Sequence, residues 1–368
     1  MLKLEKMRAG WFRSIGSPLI AALLAGMLAV GGQRNRKSTE EPKTQVLPLP
    51  PELPRALGAE TGTLDFHISP LLQAGGLSAQ IRQSLTDLIR DTKGETIVKL
   101  RAFVAGAGDA RRVQAEAASI FTEKKLPLPV LSVLQVGALE MERAAVVIEA
   151  VVSTHRTVNS SGLAFFSGQA GANYNDAVQQ LQESARKASV DTDRMLRCTC
   201  FTSRIEDAGS LRGVLHADFP NAAINIVQPL RDAPREDTLC EGVGQLTRAP
   251  AQGTVVLVKN ARATLVNSPK LVFTGLQLTF GNFLDDAEEA VLRLQRSATA
   301  VDPVEAPVEV NAFALDASAG SAVRKKMTAV PLSTFTVQTI EGLPSIDATA
   351  GIEAILAPSV AAPVTVTQ

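Results

Sequence analysis

Three cations stand on segments that read as strands. Lys99 and Arg101 lie in the run Glu95-Thr-Ile-Val-Lys-Leu-Arg-Ala-Phe-Val104, with Val98, Leu100, Ala102 and Val104 on the opposite face. Arg197 opens a second such run, Arg197-Cys-Thr-Cys-Phe-Thr-Ser203. From there a cation can enter a cleft, meet an ion-pair partner or face solvent. Cys198 and Cys200 share one face of the second run, and Cys240 stands on a later apolar segment. In an oxidising compartment Cys240 can pair with either of them, leaving a free thiol; otherwise all three are buried thiols. Zinc-type ligand pairs are absent, and no metal is expected. His67, His155 and His216 are scattered. No nucleophile elbow, phosphate loop or dinucleotide fingerprint occurs, so no cofactor is expected.

The elements that must position these groups come in a repeated block. Leu163 to Phe166 are continuously apolar, Gly168 and Gly171 break the run, and Asn175 or Asp176 is placed to cap a helix striped by Val178, Leu181 and Ala185. The block recurs as Leu64–Pro70, Gly75-Gly76 and a helix with Ile81, Leu85, Leu88 and Ile89. It recurs again as Leu271–Gln277, Gly281, a cap at Asp285-Asp286 and a stripe of Ala287, Ala290, Val291 and Leu294. A second helix, capped by Asp109 in the first copy, and two closing strands follow each time. The pattern β-α-β-α-β-β predicts two-layer α+β units with helices on one sheet face. Strands apolar on both sides require the other face to be covered as well.

These readings divide the chain into residues 34–61, a Pro-rich linker, units at 62–153, 154–250 and 251–358, and a tail at 359–368. The third unit opens with a hairpin candidate, 254–258 with 263–266. Residues 1–33 read as an export signal or membrane anchor: Lys3, Lys6, Arg8 and Arg13 precede an apolar run from Pro18 to Val30. The run is shorter than the roughly 20 residues of a spanning helix. Export, to a periplasmic or extracellular place, is the leading expectation. Lys plus Arg and Asp plus Glu number 37 each, and there is one Trp and one Tyr, so neither a basic field nor a base-stacking surface recruits nucleic acid.

Phe165-Phe-Ser-Gly168-Gln169, Phe273-Thr-Gly275-Leu-Gln277 and the stretch Leu126–Leu139 followed by Ile148-Glu149-Ala150 resemble the Rid family (YjgF, or L-PSP endoribonuclease-like), within the chorismate-mutase-like fold. The resemblance covers about four fifths of the chain. It implies units that pack as a trimer with a ligand cleft at each boundary; three in one chain imply a monomeric, intramolecular pseudo-trimer. Active members hydrolyse reactive imino acids to keto acids and ammonia. An Arg in a Pro-x-Arg-Ser segment clamps the carboxylate, and the first Glu of a Glu-Ile-Glu pattern positions water.

Carried over, the Pro is kept as Pro129, Pro220 and Pro331, and Ser132 is kept in the first copy. The Arg position falls on Leu131, Ala222 and Ser333, and the first Glu on Val147, Leu239 and Gly351. The second Glu is kept as Glu149, Glu241 and Glu353. Loss of such a clamp costs on the order of 2–5 kcal/mol. Lys99, Arg101 and Arg197 are the replacement cations on offer, although the third copy has Glu309 where the others have Lys99 and Arg197. The resemblance therefore implies a small-molecule ligand in inter-domain clefts, with Lys99, Arg101, Arg197, Gly168 and Gly275 as binding positions. Glu149, Glu241 and Glu353 are the catalytic candidates or structural carboxylates. The alternatives are an imine deaminase with relocated groups and a structural or partner-binding envelope protein.

Overall fold

Period-two and helical patterning resolve, in the computed structural model, into one recurring plan. The structure describes residues 51–106, 108–251, 254–328, 334–358 and 364–367. The first unit runs β1 (Ala56–Glu60), β2 (Leu64–Ile68), α1 (Leu77–Asp91), β3 (Thr96–Ala105), α2 (Arg111–Glu123), β4 (Val130–Val136), β5 (Ala138–Leu139) and β6 (Val146–Ser153). The second is β7 (Leu163–Gly171), α3 (Tyr174–Lys187), β8 (Met195–Thr202), α4 (Ala208–Asp218), β9 (Ala223–Gln228) and β10 (Thr238–Gln245). The third is β11 (Val255–Val258), β12 (Ala263–Val266), β13 (Lys270–Thr274), β14 (Gln277–Thr279), α5 (Leu284–Thr299), β15 (Val304–Ala314), α6 (Ala317–Met327), β16 (Phe335–Thr339) and β17 (Ala350–Pro358). A last strand, β18 (Val364–Thr367), follows.

The three sheets share one order: β2-β6-β3-β4, β7-β10-β8-β9 and β13-β17-β15-β16. In each, the second and third strands of the plan run parallel across a helix, as β3 with β4, β8 with β9 and β15 with β16. Among the described residues this is a mixed α+β architecture of three sheets and six α-helices. Helical stripes bury one face of each sheet. Ile81, Leu85 and Leu88 of α1 do so in the first unit, and Val178, Leu181 and Ala185 of α3 in the second. The opposite faces meet one another. Phe66, Phe165 and Phe273, equivalent by register, lie in one shared core with Val151, Val243 and Ile355. A second shared core holds Phe103, Phe201 and Phe313, with Phe103 and Phe201 edge to face at 5.9 Å.

Several expectations are corrected. The Pro-rich linker ends earlier than expected, because β1 pairs with β13 of the third unit. The hairpin β11–β12 opens the third unit but extends the second sheet, through β12 on β7. The tail is not free of structure: β18 runs parallel to β11. Each of these strands hydrogen-bonds an otherwise open edge, a need that hydrophobic patterning does not encode. The helix caps also shift. Asn173, not Asn175 or Asp176, caps α3 and accepts from Asp176 N. Ala110 stands at the N-cap of α2, with Asp109 accepting one residue further out from Arg111 N. Phe283 is the N-cap of α5, and the Asp286 side chain closes back on its N–H. No helix of the described residues is long and apolar enough to cross a membrane. The expected signal or anchor at 1–33 lies outside the described residues.

Candidate functional site: a charged layer between three sheets

Each candidate charge reaches its place through strand register. Arg101 of β3 stands opposite Glu149 of β6. Thr199 of β8 is opposite Glu241 of β10, and Asn311 of β15 is opposite Glu353 of β17. These are the same two positions in three sheets, facing inward just below the Phe103, Phe201 and Phe313 layer. One guanidinium and three carboxylates therefore meet. Arg101 Nε donates to Glu149 Oε2 at 2.8 Å, and Nη2 lies 2.7 Å from the same oxygen. Nη2 donates to Glu241 Oε1 at 2.5 Å, and Nη1 to Glu353 Oε1 at 3.4 Å.

Two residues along, the next positions carry Lys99 and Arg197 in the first two sheets and Glu309 in the third. Lys99 Nζ donates to Glu353 Oε2 and to the Thr274 carbonyl, each at 2.7 Å. Arg197 approaches Glu149 and Glu241 at 3.7 Å and lies over the Phe66 ring, 5.8 Å from its centroid. Glu149 Oε1 accepts from Thr199 Oγ1 at 2.7 Å and from Asn225 Nδ2 at 2.6 Å. All six sequence candidates with charge thus come together in one network, and all are buried. The most exposed side chains, Lys99 and Arg197, show 7%.

Burial and pairing set the protonation of this layer. Burial raises Glu353, but the Lys99 ammonium and Arg101 guanidinium outweigh it and hold the carboxyl at about 2. Burial also raises Glu149, and Arg101, Arg197, Asn225 and Thr199 bring it below the ordinary carboxylate range. Lys99 is lowered, because burial outweighs its attraction to Glu353. Arg101 is driven down by burial and lifted further by Glu149, Glu241 and Glu353, ending above its ordinary value. Glu309 is the exception. Burial and the neighbouring Glu241 carboxylate raise it to about 7.

The two glycines expected at ligand loops serve close packing. Gly168 N donates to Thr336 Oγ1 of the third unit, and a Cβ there would lie 2.2 Å from Leu239 Cδ2. Gly275 N donates to the Arg55 carbonyl, and a Cβ there would lie 2.9 Å from the Leu131 carbonyl oxygen. Cys200 and Cys240, directly opposed on β8 and β10, form a disulfide; Cys198 is a buried free thiol raised to about 12 by burial. The disulfide belongs to the helix-side core of the second unit, away from the charged layer. His67 pairs with Asp65 at 3.2 Å and is not in the network. Among the described residues no cluster of His, Cys, Asp and Glu could hold a metal. Sequence reasoning missed Thr199, Asn225 and the role of Glu309. The first two are ordinary strand residues whose partner, Glu149, belongs to another unit. Glu309 was visible as a carboxylate at a cation position.

No family model matches the chain, and no curated protein matches it. Among solved structures it is similar to a chorismatase: 11% identity over 83% of this chain and 100% of that one, TM-score 0.24. A cyanuric acid hydrolase shows 13% identity over 80% and 100%, TM-score 0.21. PurLQS from Thermotoga maritima shows 10% identity over 83% and 75%, TM-score 0.28. Likeness at these scores carries no argument about activity. The resemblance to the Rid family is overturned, since no family model matches the chain. The catalytic roles carried over to Glu149, Glu241 and Glu353 lose that support.

Proposed function

We propose that the protein is a structural or partner-binding module whose three units form an intramolecular pseudo-trimer, and that its repeated glutamates hold the units together rather than catalyse. The observation that carries this reading is the closure of the charged layer. Arg101, from the first unit, is ligated by glutamates of all three units, and the space left there is about 20 Å³. A carboxylated substrate does not fit a space of that size, and the guanidinium that would clamp it is already taken by three carboxylates. Hydrogen bonds also join the units elsewhere: Ser167 Oγ donates to the Phe335 carbonyl, and Leu276 N to the Leu131 carbonyl. The export expectation fits a disulfide-bearing body, since such bonds persist in oxidising compartments.

A second reading, binding of a small ligand, draws support from one depression of about 690 Å³ between the first and third units. Arg111, Gln135, Glu341 and Leu343 are among its lining residues. None of the charges of the buried layer lines it.

The test is hydrolysis of imino acids generated in situ by an amino-acid oxidase, with ammonia followed in the presence of the full chain. No acceleration over the spontaneous rate is expected. Acceleration that disappears in Glu241→Gln, with the fold intact by circular dichroism, would overturn the structural reading. Saturable binding of a small ligand that Glu341→Ala weakens would favour the second reading.

A further inference from the structure

The charged layer is short of partners at one point. Arg197 Nε and Nη2 and Glu309 Oε1 are buried with no hydrogen-bond partner among the described residues. A buried polar atom without a partner is costly, more so when charged, so native interiors rarely leave one unserved. Arg197 and Glu309 line the same cavity of about 20 Å³, together with Lys99, Arg101, Glu149 and Glu353. A polar cavity of that volume has room for one water and offers the two to four partners a buried water needs.

Charge counting points to the same place. Lys99, Arg101 and Arg197 supply three positive charges to the layer; Glu149, Glu241, Glu353 and Glu309 would supply four negative ones. One carboxyl must carry a proton for the layer to be neutral, and a buried net charge is costly. Glu149, Glu241 and Glu353 each touch a cation within 2.7 Å. Glu309 has no such contact among the described residues. We propose that the cavity is a built site for one internal water, bridging Arg197 to Glu309, and that Glu309 is the proton-carrying carboxyl of the layer.

The water accepts from Arg197 Nε or Nη2 and completes the shell of the Glu309 carboxyl. The proton on Glu309 comes from solvent and returns to it, with no other bond made or broken. The groups facing Glu309 are Lys99 and Arg101 from β3, Glu149 from β6, Arg197 from β8, Glu241 from β10 and Glu353 from β17. The elevated Glu309, at about 7, accords with this assignment. The inference rests on the closed-core reading given above.

Two measurements on the full chain test it. A high-resolution crystal structure should show one isolated density peak within hydrogen-bond distance of Arg197 and Glu309. An empty cavity overturns the water site while leaving the core closed; a water file reaching bulk solvent overturns both readings. Infrared titration should show the carbonyl stretch of a protonated carboxyl at mildly acidic pH, lost as pH rises and missing from Glu309→Gln. Persistence of that band in the variant would assign the proton elsewhere and sink the proposal. The titration of wild type alone also decides: no protonated carboxyl above the ordinary carboxylate range contradicts it.

Discussion

Two layers, two residues apart on the same strands, solve the same problem by opposite means. Phe103, Phe201 and Phe313 occupy one position in all three units and pack as like with like. Arg101, Thr199 and Asn311 occupy the next inward position and are all different. An apolar layer can keep one residue three times because dispersion is non-directional. The cation position of the charged layer cannot, since three guanidiniums would repel one another, although the position opposite keeps Glu149, Glu241 and Glu353 in all three units. One Arg serves three glutamates, and the vacated positions carry hydroxyl and amide groups; Thr199 satisfies the remaining oxygen of Glu149. Identity between copies is thus kept at the packing position and at the glutamates around Arg101, and lost at the position where a second or third guanidinium would upset the charge balance.

The contrast can be broken most severely at its centre. Arg101→Met leaves three carboxylates facing one another in a dry interior and should cost about 3–5 kcal/mol, the range for removing one partner of a buried pair. Urea unfolding at neutral pH measures it, and a loss under about 1 kcal/mol would mean that the layer is hydrated in solution. Next comes the Cys200–Cys240 disulfide, which closes a separation of 40 residues in the second unit. Replacing both by Ala should cost about 2–4 kcal/mol. Proteolysis should then open the second unit first, because the first unit has Ala102 and Ile148 at the matching sites and the third has Ala312 and Ile352.

The pH dependence is a smaller effect with a defined sign. Glu309 keeps its proton in the folded state up to about 7, against an ordinary value of 4.5. Between those values the unfolded chain releases a proton that the folded chain holds. Stability therefore falls as pH rises through that window and levels off above it. Glu309→Gln should flatten this slope. Glu353 acts in the opposite sense, since its folded value of about 2 lies below 4.5. Its contribution is complete above 4.5 and is lost as pH falls toward 2. Denaturant midpoints from acid to neutral pH separate the two, and an unchanged slope in Glu309→Gln would show that another group carries the proton. The smallest effect belongs to the apolar layer. Phe201→Leu should cost less than about 1.5 kcal/mol in the same urea assay, because roughly volume-conserving swaps repack.

Legibility in the sequence followed the range of the interactions. Stripes such as Val178, Leu181 and Ala185 placed the helices, because helical spacing is local. The repeated block exposed the three units, and their α+β plan, for the same reason. Edge pairing was not legible. The strand Ala56–Glu60 sits beside a Pro-rich run, and its partner lies more than two hundred residues away. The disulfide stayed open because strand faces allow Cys240 two partners; only the register Cys200↔Cys240 decides between them. The site was half legible. Lys99, Arg101, Arg197 and the three glutamates stood out as charges on apolar strands, but alternation gives a face, not what that face meets. That the faces meet one another, and close the layer, depends on how the sheets pack together.

The most direct test of the account is a double-mutant cycle between Arg101 and Glu241, which join the first unit to the second at 2.5 Å. Arg101→Met, Glu241→Gln and the pair would be unfolded in urea at one neutral pH. The account predicts that the double variant is more stable than the sum of the single losses implies, by at least about 1.5 kcal/mol, because each single change strands the partner in a dry layer. Additivity within about 0.5 kcal/mol would contradict it, and would mean that these residues do not hold the units together.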